Sequence, residues 1–133
     1  MALLADIAAQ LPPRGTTARG DGTTTATAEL ATDLVRALQQ ASGEAGGLTE
    51  PVTVAAVAGQ LADTVHVIAQ VCGQLAGWLY REYGGTAIGL PTTVDAVVRD
   101  LHTAAWSAGR AGRTLAQVQA AAVAIPHPPG AFR

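Results

Sequence analysis

The sequence contains no lysine. Its eight basic residues are all arginine, set against ten acidic ones, and the formal net charge is −2. That balance argues against any general attraction to nucleic acid or to anionic membranes. Cysteine occurs once, as Cys72, so an intramolecular disulfide is excluded. There is one Phe, with two Trp and two Tyr, and alanine dominates the composition. Aromatic and β-branched residues are too thin for a sheet protein, and alanine favours helix, so the class is all-α. A core built from alanine buries little area per residue.

Catalytic signatures are also missing. The two serines, Ser42 and Ser107, stand in no Gly-x-Ser-x-Gly turn. The glycine clusters follow helical stretches rather than joining a strand to a helix, which excludes a phosphate loop. Asp63 and His66 are spaced to hydrogen-bond along a helix, and His102 falls on the next long stretch. Antiparallel pairing sets the two histidines about 9 Å out of register, too far for a shared metal. No Glu-x-x-His pair is present. No enzyme activity, cofactor or metal site is expected, and Cys72 reads as a small buried hydrophobe.

What is present is helical periodicity. From Thr49 to Tyr83 there is no proline beyond Pro51 and no double glycine. Val54, Val57, Leu61, Val65, Ile68, Cys72, Leu75 and Leu79 recur at steps of three and four, one face of a helix. The spacing predicts a helix over about 50–83, with Thr49 as N-cap and Glu50 and Pro51 in the first turn. Gly84 and Gly85 end it. A second long helix is predicted over about 92–124, opened by a Thr92-x-x-Asp95 capping box. Its apolar face reads Val94, Val97, Leu101, Ala105, Ala108, Gly112, Leu115, Val118 and Ala122. Small residues at its centre demand a close facing helix. The two form a long antiparallel hairpin.

Two shorter helices are expected before it, over about 2–11 and 26–42, separated by a Gly/Thr loop at 12–25. Within that loop Arg19-Gly20-Asp21 spells an adhesion tripeptide, a chance combination of three common residues. Residues 1–125 are expected to form one domain. Residues 126–133 form a proline-rich tail, extended and polyproline-like.

The N-terminal MALLADIAAQ has no basic leader, and Asp6 breaks its apolar run, so no signal peptide is read. The stretch Thr64–Tyr80 lacks Asp, Glu, Lys and Arg, yet His66, Gln70 and Gln74 line one side, which argues against a membrane span. Neither tryptophan stands in the Trp-x-Gly turn of small secreted helical hairpins: Leu79-Tyr80 follows Trp78, and Ser107-Ala108 follows Trp106.

Two helices of this length expose more apolar surface than two short ones can cover. The expected function is non-enzymatic: a structural or scaffolding protein that self-assembles helix on helix, such as a subunit of a phage particle or another large assembly. Its partners would be copies of itself or another helical protein, not nucleic acid and not membrane. It would reside in the cytoplasm or in a particle assembled there. The expected interface residues are Trp78, Tyr80, Tyr83, Trp106, Ala105, Ala108 and Gly112. Two alternatives stand beside this: a secreted or exported helical-hairpin binding protein, and a DNA-associated regulator using Arg99, Arg110 and Arg113.

Overall fold

A computed structural model describes residues 20–84 and 89–126. The described residues are all-α, with three helices: α1 (Gly20–Gly43), α2 (Pro51–Tyr83) and α3 (Thr92–Ala122). The chain divides after Leu48 into two units, the first holding α1 and the second the α2–α3 hairpin. The helix expected over 2–11 and the 127–133 part of the tail lie outside the described residues.

Helix α1 starts six residues earlier than the expected 26–42 boundary, so the 20–25 part of the expected loop is helical. Asp21 stands in the first turn, where it complements the helix dipole. Of the threonines that read as loop, Thr24 folds its hydroxyl onto the helix, donating to the Gly20 carbonyl at 3.4 Å, and two within the expected helix do likewise. Thr27 Oγ1 donates to the Thr23 carbonyl at 2.8 Å, and Thr32 Oγ1 to the Ala28 carbonyl at 3.1 Å. Threonine costs only a few tenths of a kcal/mol against alanine in a helix, and such back-bonding satisfies the hydroxyl. Thr25 and Thr27, candidate caps for a helix that starts at 26, are therefore interior rather than capping. At the far end the chain turns through Gly46, with φ +83°. A Cβ on Gly47 would overlap the Ala41 carbonyl oxygen, so the exit of α1 requires glycine there. Leu30, Leu34 and Leu38 share one half-buried side of α1, and Val35 is exposed.

Helix α2 begins one residue later than expected. Glu50 is the N-cap, with extended backbone and no side-chain cap bond, and Pro51 occupies the first helical position. At its end Gly84 N–H donates to the Tyr80 carbonyl at 2.8 Å, and a Cβ there would strike that same carbonyl. Helix α3 does not form the expected capping box. Pro91 is its N-cap, and Asp95 instead pairs with Arg99 at 3.3 Å, an exposed contact one turn along. It ends at Ala122, and Val123 and Ala124 continue as turns before Pro126.

The two long helices pack antiparallel. Position Gly59 of α2 lies against Gln119 of α3, and further along α2 Ala62 and Val65 lie against Gly112. The buried layer is made of small residues: Ala55, Ala58, Gly59, Ala62 and Ala76 from α2, with Val98 and Ala122 from α3. Ala76 is fully buried, at 0% exposure. Gly112 permits close approach to the α2 backbone, since a Cβ there would sit 3.2 Å from Val65 Cγ2 and 3.3 Å from the Ala62 carbonyl oxygen.

Gly73 differs from Gly112. It is half-buried in mid-helix, and a Cβ would meet nothing within 4 Å. Gly73→Ala should therefore recover helix propensity of about 1 kcal/mol with no clash. For a domain of 60–100 residues that amounts to a rise in Tm of about 4–8 °C. Thermal melting followed by circular dichroism checks it, and a lowered Tm would contradict the open space beside Gly73.

Candidate interaction surface

The buried side of α2 is not the aliphatic face its periodicity announces. Val54, Ile68 and Leu75, three members of that face, are exposed, Ile68 at 46% and Leu75 at 47%. Val57, Leu61, Val65, Cys72 and Leu79 are half-buried between the two sides. The side that meets α3 lies about a quarter turn away, along the alanines. The reason is steric. Ala105, Ala108 and Gly112 form a low surface on α3, and close approach needs an equally low surface opposite. A ridge of Val and Leu would hold the two backbones apart.

The consequence is a continuous apolar stripe on the outer side of α2. Ile68, Val71, Leu75 and Trp78 recur at steps of three, four and three, with Val67 beside them, and all are exposed. Trp78 is 52% exposed and meets Tyr83 edge-to-face, with ring centroids 6.5 Å apart at 72°. That geometry suits the ring quadrupoles. Tyr80 is exposed and, among the described residues, joins no ring pair.

The expected interface residues are thus divided. Trp78 and Tyr83 come together at the C-terminal end of α2. Ala105, Ala108 and Gly112 are half-buried in the hairpin, turned toward α2. Trp106 is elsewhere, on the outer side of α3 and 62% exposed, with the Arg110 guanidinium 4.9 Å from its ring centre. Such a cation–π contact at an exposed site contributes about 0.5–1 kcal/mol. The aliphatic residues Val67, Ile68, Val71 and Leu75 were not singled out as interface residues by sequence. Ile68 and Leu75 belong to the periodic apolar face, but periodicity alone does not say which apolar side a neighbouring helix will choose.

Asp63, His66 and His102 are exposed and Cys72 is half-buried. Among the described residues, no three of His, Cys, Asp and Glu stand close enough together to hold a metal ion. By length and composition α2 could cross a bilayer, and about 11% of its most apolar window is buried. Among the described residues it is the one helix that meets that measure, and α3 does not. The outer side of α3 carries Asp95, Arg99, Arg110 and Arg113, all exposed, and charges at that depth are costly.

Fold and surface together define a class: a long antiparallel helical hairpin, closed by small residues, with an aliphatic stripe left open along one helix. No family model, curated protein or solved structure matches the chain.

Proposed function

We propose that the protein is a non-enzymatic assembly module, a structural or scaffolding subunit that binds helix on helix to copies of itself or to another helical protein. A phage particle or another large assembly is the setting it suits. One observation carries the reading: the hairpin buries its small residues and exposes Ile68, Val71, Leu75 and Trp78. An alanine methyl is worth about 0.8 kcal/mol when buried, against about 1.5–3 kcal/mol for a full Val, Leu or Ile side chain. The larger share of the hydrophobic free energy of α2 is therefore unrealised in the single chain. Contiguous apolar surface of this kind marks interaction sites in soluble proteins.

The DNA-binding alternative draws less support. Of the arginines on α3, Arg99 is paired with Asp95 and Arg110 lies over Trp106. Light scattering across a concentration series tests the assembly reading. The expected mass is a multiple of the 13.4 kDa chain. A single-chain mass at every concentration, with no helical partner found, would sink it.

A further inference from the structure

The open stripe of α2 is bordered by a polar line. Asp63 and Arg81 stand five full turns apart at about 3.6 residues per turn, so they occupy the same side of the helix. Gln70 and Gln74 lie between them on that side. All four are exposed. Among the described residues, neither Asp63 nor Arg81 takes part in an ion pair. Between them, Thr64–Tyr80 carries no Asp, Glu, Lys or Arg.

We propose that a second copy of this chain occupies the stripe, with the two α2 helices antiparallel about a two-fold axis at Cys72. This rests on the self-assembly reading and gives it a geometry. An antiparallel two-fold sets the same flank of each helix side by side with its order reversed. Centred on Cys72, it brings Asp63 opposite Arg81 of the second copy and Gln70 opposite Gln74 of the second copy. Symmetry makes each pair twice. Along the seam Ile68 meets Leu75 of the second copy, and Val67 meets Trp78. One register thus matches acid with base, amide with amide and apolar with apolar. A parallel two-fold would instead hold Asp63 and Arg81 about 27 Å apart in level and put each on opposite flanks of the seam, so neither charge would find a partner. Because α3 packs on the alanine side, well round α2 from the stripe, the arrangement leaves each hairpin intact.

Charge reversal tests the register. In Asp63→Arg two arginines face each other at both ends of the seam, and in Arg81→Asp two aspartates do. Each single variant should weaken association about tenfold at low salt, as expected for two exposed pairs changed from attraction to repulsion. The double variant Asp63→Arg/Arg81→Asp should return to within about threefold of wild type, and high salt should shrink all the differences. Sedimentation equilibrium reads the dissociation constants, and far-UV circular dichroism verifies that helix content is unchanged. Crosslinking is an independent check should a reversed variant lose helix. In a Cys72→Ser background, Asp63→Cys and Arg81→Cys chains are mixed with a short thiol-reactive crosslinker. Mixed dimers should form faster than either like pair. Association that ignores both charges, or a double variant as weak as the singles, overturns this geometry while self-assembly stands. A monomeric wild type overturns both, as does a wild type that floats with phosphatidylcholine vesicles instead of pairing.

Discussion

Leu75→Asp should abolish self-association while leaving the hairpin folded. In the single chain Leu75 is 47% exposed on the outer side of α2. Losing its partial burial there costs about 1 kcal/mol, and Asp adds about 0.5 kcal/mol of helix propensity. In an assembly that closes over the stripe the same carboxylate would be buried without a cation, and symmetry places it there twice. An unpaired buried charge costs several kcal/mol. Association should fall at least about a hundredfold, since each 1.4 kcal/mol is a factor of ten. Light scattering should show the mass of one chain, and circular dichroism should show nearly unchanged helix. A variant that assembles as wild type would mean that the stripe is not the contact. Val71, exposed on the same stripe, should respond alike to Asp.

Gly112→Leu should produce the opposite pattern, with the hairpin itself failing. The first atom added already lies 3.2 Å from Val65 Cγ2 and 3.3 Å from the Ala62 carbonyl oxygen. The remaining atoms of Leu extend from a Cβ already tight against α2. The helices must separate, and the alanine layers on either side, which gain their contacts from close approach, open with them. Overpacking costs about 1–3 kcal/mol at one site, and loss of neighbouring layers adds to it. A Tm lowered by more than about 10 °C is expected for a unit of this size. Gly112→Ala separates sterics from propensity. It gains about 1 kcal/mol of helix propensity against a tight contact of a few tenths of an ångström, so its Tm should stay near wild type. If Leu at position 112 were tolerated as well as Ala, the close approach at Gly112 would be refuted.

Much of the fold was legible from residues. Pro51 at the start, Gly84 at the end and no breaker between them mark α2 to within a residue. The periodicity of Val94, Leu101, Ala105, Ala108, Gly112 and Leu115 marks the side of α3 that meets α2, while Val97 and Val118, read onto the same face, are exposed. The start of α1 was not legible, because Gly20–Thr25 has the composition of a loop. Thr24 there satisfies its hydroxyl on the Gly20 carbonyl, an option that composition does not reveal. The capping role expected of Thr92 was displaced by Pro91, and Asp95 found Arg99 instead.

The candidate site divides in the same way. Trp78 and Tyr83 stand out in a chain with so few aromatics, and their proximity follows from helical spacing. The aliphatic stripe was visible as a pattern, but its side of the molecule was not. Helical class, the lengths of the two long helices and their antiparallel return follow from the order of residues. Which side of α2 is covered follows from packing. Two adjacent stripes compete there, one large and aliphatic, the other small. The small one meets α3 because Ala105, Ala108 and Gly112 allow close backbone approach only to residues as small as Ala58 and Ala62. Ile68, Val71, Leu75 and Trp78 are left outward, where another molecule can reach them.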